Sequence, residues 1–171
     1  MVHSLFMELT APNGATLKIN SKKGNVLINP EFTDDAKIVI IDDGAPDISS
    51  KYSDSLVIYG PGEYEANGIM VKGTRGEDKT MYVIDTGEGK ILHVLSSSSS
   101  KLSNEDEFDL VVVKAVAPVE EADLTSLSSK LVVVYGDEQN IAPVIRENRT
   151  NKVNLKKSED ITTNVGNLEK R

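Results

Sequence analysis

The sequence predicts an α/β fold, rich in strands with few short helices, in which two sheets pack face to face. Three features carry that expectation. Continuous β-branched runs at Lys37-Ile38-Val39-Ile40-Ile41, Leu110-Val111-Val112-Val113 and Leu131-Val132-Val133-Val134 read as strands buried on both faces. Turn residues punctuate the first half every few positions, and helix-period segments are scarce. The strand count is high for the length, which favours a pair of stacked sheets over one open sheet.

The elements follow in order. Residues 5–9 read as a first strand, and Asn13-Gly14 as a tight turn, because both residues tolerate positive φ. Thr16-Leu17-Lys18-Ile19 alternates as a half-buried strand, and Val26-Leu27-Ile28 follows a turn at Lys23-Gly24-Asn25. After the run at 37–41 comes Leu56-Val57-Ile58-Tyr59, then the turn Gly60-Pro61-Gly62. Ile69-Met70-Val71 and Met81-Tyr82-Val83-Ile84 flank an exposed turn at 75–78, and Ile91-Leu92-His93-Val94-Leu95 precedes five serines, Ser96 to Ser100. Residues 119–130 and 140–148 are the helix candidates, and 152–155 is a weak strand. Residues from about 164 onward are expected to fray.

With 171 residues, the chain fits one domain spanning 1–171, large enough for a real core. Its net charge of −8 and lack of a basic stripe argue against nucleic acid and anionic membrane as partners. The small basic cluster of Lys152, Lys156 and Lys157 reads as a solvated face, since aromatic residues make up only 5% of the chain and offer no stacking platform. The absence of cysteine excludes disulfides, thiolate zinc sites and thiol nucleophiles, and fits a cytoplasmic protein. No apolar run reaches the length of a membrane helix, and the first residues lack the pattern of a signal peptide.

The most distinctive segment is Gly60-Pro61-Gly62-Glu63-Tyr64-Glu65-Ala66-Asn67-Gly68-Ile69-Met70-Val71-Lys72-Gly73. It resembles a signature of small bacterial metallo-β-lactamase-fold proteins, the zinc-dependent-hydrolase branch. His3-Ser4-Leu5-Phe6 is similar to the opening strand of that branch, Val26 to Pro30 to its Ile-Asp-Pro strand end, and residues 34–41 to the strand entering its metal loop. The resemblance covers nearly the whole chain and implies a four-layer αββα metallo-β-lactamase-like sandwich. Its active members carry H-x-H-x-D-H after that strand, because two zinc ions need clustered imidazoles, a carboxylate and an open position for water. Here the loop reads Asp42-Asp43-Gly44-Ala45-Pro46-Asp47-Ile48. Matched position by position, the histidines become Asp43, Ala45 and Ile48, and the motif's aspartate stays as Asp47. The metal-bridging aspartate of the family falls at Ser96, and a late histidine near Gly136. The family's Pro-Val-Gly-Gly turn is replaced by Lys114-Ala115-Val116-Ala117.

These replacements imply that the ancestral zinc is lost, with no cofactor and no catalytic residues. The first expectation is therefore a non-catalytic member serving as a binding module or complex subunit, with a protein partner or self-association. Two alternatives stand beside it: a residual metal-dependent hydrolase using Asp42, Asp43 and Asp47, and a small-molecule binder in the vacated cleft near Asp43, Ser96 and Gly136. The remaining chemistry-bearing residues have simpler readings. Asp42, Asp43 and Asp47 could hold a hard cation, but lack the glycine and terminal glutamate of a calcium loop and read as a solvated cluster. Glu63 and Glu65 share a strand face yet read as surface residues beside a structural turn. His93 and His3 have no evident nucleophile; a lone histidine in such a strand is more often a hydrogen-bonded core residue. The serine run lacks the glycine-lysine pair of a phosphate loop and reads as a connector.

Overall fold

A computed structural model describes residues 7–42, 48–76, 79–96, 108–120, 122, 124, 129–147, 149–155 and 165–168. Among them the chain is mostly strand. It runs through β1 (Met7–Thr10), β2 (Leu17–Ser21), β3 (Gly24–Ile28), β4 (Ile38–Ile40) and β5 (Leu56–Ile58), then β6 (Gly62–Ala66), β7 (Ile69–Arg75), β8 (Thr80–Asp85) and β9 (Lys90–Leu95). It continues with β10 (Phe108–Ala115), β11 (Ser129–Gly136), β12 (Arg149–Thr150), β13 (Val153–Leu155) and β14 (Val165–Leu168).

Two sheets result. One has six strands in the order β13-β1-β2-β3-β4-β5; the other has eight, β12-β14-β11-β10-β9-β8-β7-β6. The hairpins β1–β2 and β2–β3 are antiparallel, as is the meander β6–β9. The apolar runs at β4, β10 and β11 lie in the parallel parts of the two sheets. This is where both faces are covered and an uninterrupted apolar sequence is required.

Alternation along the strands sorts the side chains into layers. Met7, Leu9, Leu17, Ile19, Ile38 and Ile40 of the six-stranded sheet share one buried cluster with Ile69, Tyr82, Ile84, Leu110, Val112 and Tyr135 of the other. The opposite face of the eight-stranded sheet, including Leu92, Val94, Val111, Val113, Val132 and Val134, packs under Leu124 and Ile145. The outer face of the six-stranded sheet, through Leu27, Val39 and Ile41, is covered by Ala36 and Tyr52.

Helical structure is sparse among the described residues. A four-residue helix, α1 (Pro143–Arg146), opens on proline, whose missing N–H costs nothing in a first turn. Short 3₁₀ turns occupy Ser49–Lys51 and Glu138–Asn140, the second capped where Asp137 Oδ1 accepts the Gln139 N–H at 3.0 Å. The helix expected over 119–130 is shorter than the sequence suggested. Ala122 and Leu124 are helical, but Val119 forms an isolated bridge with Ile141, and β11 already begins at Ser129. Extending β11 back to Ser129 matches it to Phe108 across the parallel pair, and ladder hydrogen bonds outweigh the helical preference there. The segment expected to fray also contains structure: β14 pairs in parallel with β11 and β12. No helix among the described residues is long and apolar enough to cross a membrane.

The two ends of the sandwich differ. At one end, hairpin turns lace the sheets together. Lys23 Nζ donates to the Gly68 carbonyl at 3.1 Å, the Asn67 amide donates to the Lys23 carbonyl, and Glu88 Oε1 accepts the Lys22 N–H at 2.9 Å. At the other end the carboxyl termini of β3, β4, β9, β10 and β11 emerge together.

Candidate functional site

In sheets with parallel strands, side chains and loops at the strands' carboxyl ends frame the natural crevice. Here those ends deliver Asn29 after β3, Asp42 after β4, Ser96 after β9, Lys114 to Ala117 at the end of β10, and Gly136 closing β11. A cleft of about 370 Å³ opens there, lined by Ala15, Asn29, Pro30, Glu31, Ile41, Ile48 and Lys114. A second, shallower one of about 550 Å³ shares Ala15 and Lys114 and runs over Val116, Gly136 and Asp137.

Beneath these clefts lies a polar cluster inside the sandwich. His93, 1% exposed, and Tyr135, 0% exposed, face inward from β9 and β11, and His93 Nε2 lies 2.7 Å from the Tyr135 hydroxyl. Burial lowers the His93 pKa from 6.5 to about 4; the Asp42 carboxylate opposes that change and the Lys114 ammonium adds to it. Burial, reinforced by Asp42, pushes the Tyr135 phenol well above its ordinary range. Both partners are therefore neutral at pH 7, and the pair is a satisfied hydrogen bond between uncharged groups. Asp42 is held by Asn29 in a reciprocal pair: Asn29 Nδ2 donates to Asp42 Oδ2 at 2.9 Å, and the Asp42 N–H donates to Asn29 Oδ1 at 2.8 Å. Asn29 reaches that geometry with φ of 52°, a left-handed conformation that asparagine adopts more readily than most residues.

The residues that the resemblance matches to metal ligands divide into two groups. Asp43, Ala45 and Asp47 lie outside the described residues, as does His3. The other three sit at the open end. Ile48 packs against the outer cluster of the six-stranded sheet and lines the smaller cleft. The Ser96 hydroxyl accepts the N–H groups of Val116 at 3.0 Å and Ala117 at 2.8 Å, and donates to the Ala117 carbonyl at 2.9 Å. Gly136 has φ of 115°, and a Cβ there would stand 3.1 Å from the Ala115 nitrogen. An isoleucine, a hydroxyl turned onto the backbone and a glycine offer zinc no donor set. Among the described residues, no group of three or more histidine, aspartate or glutamate side chains could hold a metal ion.

The signature segment lines neither cleft and works as a joint. Gly60-Pro61-Gly62 carries the chain from β5 in one sheet to β6 in the other, with positive φ at both glycines. The Tyr64 hydroxyl donates toward the carbonyls of Gly60 and Pro61, each at 3.0 Å, and ties the turn down. Glu63 and Glu65 share the exposed face of β6. Glu63 stands opposite Lys72, and Glu65 Oε1 accepts the Gly68 N–H at 2.7 Å.

Sequence reasoning gave no role to Lys114, Asn29 or Tyr135. The one available signal was Lys114, a charged residue in register with the inward-facing Leu110 and Val112.

The architecture is that of the metallo-β-lactamase fold. The chain is similar to a crystal structure from Thermotoga maritima, provisionally described as a Zn-dependent hydrolase of the metallo-β-lactamase superfamily. The TM-score is 0.65 and the identity 16%, over 96% of this chain and 100% of that one. A variant of the β-hydroxylase CmlA matches with a TM-score of 0.50 and 10% identity, over 75% of this chain and 45% of that one. The metallo-β-lactamase-fold protein YhfI from Bacillus subtilis matches with a TM-score of 0.47 and 10% identity, over 79% of this chain and 89% of that one. No family model and no curated protein matches the sequence.

Proposed function

We propose that the chain is a non-catalytic protein of metallo-β-lactamase fold, built as the four-layer αββα sandwich of that fold and working as a binding module or complex subunit. The observation that carries this reading is the chemistry of Ile48, Ser96 and Gly136. The resemblance matches them to metal-ligand positions, and here they contribute packing, backbone hydrogen bonds and a left-handed turn. A zinc site tolerates the loss of one ligand far better than the loss of most of them. Asp42, a member of the alternative carboxylate site, is already committed to Asn29.

What such a scaffold retains is a surface and a cleft. A protein partner or a second copy of the chain is the expected occupant of the surface. The volume and lining of the smaller cleft also favour a second reading, binding of a small molecule. Elemental analysis of protein purified after growth with added zinc tests the main reading. The expected result is zinc far below one per chain. One or two tightly held zinc ions per chain, with hydrolytic activity that a chelator removes, would overturn it.

A further inference from the structure

We propose that the cleft at the open end binds a small organic monocarboxylate, its headgroup on the Lys114 ammonium and its apolar body against Pro30, Ile41 and Ile48. The proposal rests on the reading that this cleft does not hold zinc, and gives it a ligand class.

The position of Lys114 is the starting point. Along β10, Leu110 and Val112 point between the sheets, and Val111, Val113 and Ala115 point the other way. Two residues beyond Val112, Lys114 therefore projects inward. It is half-buried, and it lines both clefts. An ammonium drawn partly out of water loses solvation that an anionic partner must replace. The Lys114 ammonium makes no ion pair or hydrogen bond with another described residue. The nearby carboxylates are turned to other donors. Asp42 takes Asn29, Glu31 Oε2 takes the Asn13 amide at 2.9 Å, and Asp137 Oδ1 takes the Gln139 N–H at 3.0 Å. Among the described residues, this leaves the Lys114 ammonium without a bonded carboxylate at the wall of a mostly apolar cleft.

The same surroundings set the charge of the ligand. Glu31 and Asp137 share the two clefts with Lys114, and Asp42 lies close enough to act on His93 with it, so the negative charge they add repels a ligand the more strongly the more negative charge it carries. A phosphate or a nucleotide is disfavoured on that ground. The neighbouring walls of Pro30, Ile41 and Ile48 reward an apolar body that a bare inorganic anion lacks.

Benzoate and hexanoate are suitable probes, with benzyl alcohol as the neutral match and inorganic phosphate as the polyanion. Binding is followed by amide NMR on protein whose metal content has been measured. The expected result is saturable binding of both carboxylates, with shifts at Ile41, Ile48 and Ala115. Lys114→Met weakens it about ten- to hundredfold, as loss of a charged hydrogen bond should, while Lys114→Arg retains most of it. Thermal melting of both variants checks that they fold. Absence of saturable carboxylate binding, equal binding by Lys114→Met, or equal binding of benzyl alcohol or phosphate would each overturn the proposal. A zinc-free protein that ignores carboxylates sinks this inference alone, whereas stoichiometric zinc sinks the reading beneath it.

Discussion

His93 makes stability depend on pH in a defined window. In the unfolded chain its imidazole titrates near 6.5; inside the sandwich burial holds that value at about 4. Between those values the unfolded chain takes up a proton that the folded protein refuses, so acid favours unfolding. The stabilisation is present in full above pH 6.5 and is lost as the pH falls towards 4. Below that, both states are protonated and nothing further is lost. A difference of about 2.5 pH units at about 1.4 kcal/mol each amounts to about 3 kcal/mol, of which about 2 kcal/mol is lost between pH 7.5 and 5. His93 is 1% exposed, so solvent screening removes little of this. Urea denaturation at pH 7.5 and at pH 5 measures it, with His93→Gln as the comparison. The variant starts from lower stability because a buried ring is gone, yet it should lose about 2 kcal/mol less than the natural protein between the two pH values. That difference isolates His93 from the titratable groups that the two proteins share. An NMR titration of the imidazole should find His93 neutral down to about pH 4. Parallel losses in the two proteins, or a His93 titration near 6.5, would refute the burial argument.

Two further substitutions probe the open end and the joint. Ser96→Ala removes the acceptor for the Val116 and Ala117 N–H groups and should cost about 1–3 kcal/mol in urea denaturation, with faster hydrogen exchange at Ala117; an unchanged exchange rate would show that water replaces the hydroxyl without loss. Gly73→Ala places a methyl group 2.8 Å from the Gly60 carbonyl oxygen and 3.2 Å from Pro61 Cα, backbone atoms that cannot swing aside, so a loss of about 1–3 kcal/mol is expected, and a neutral result would mean that the signature turn is not packed on β7 as described.

How much of this was legible follows from what each element needs. The strands at β4, β10 and β11 were readable because parallel strands covered on both faces demand unbroken apolar sequence, and theirs is unbroken. β14, Val165-Gly166-Asn167-Leu168, was not, because glycine and asparagine in a four-residue strand leave no pattern; its place comes from pairing with β11. β6 was hidden for a related reason. Its two glutamates mark a surface, and only the Tyr64 hydroxyl on Gly60 and Pro61 reveals that the segment is a joint.

The site divides the same way. Matching positions to a metal motif drew attention to Ile48, Ser96 and Gly136, which lie at carboxyl ends of strands or in the loops that leave them. It did so by asking which donors were missing, and that question cannot reveal what stands in their place. His93 and Tyr135 meet only because parallel register sets β9, β10 and β11 side by side. Lys114 gains its meaning only once Val112 is known to face inward. In the sequence it is the polar residue that ends an apolar run, as a strand end ordinarily has. In the fold it is a cation held between two sheets beside carboxylates that bond elsewhere. That difference makes Lys114 the residue whose replacement most directly tests whether the open end still binds anything.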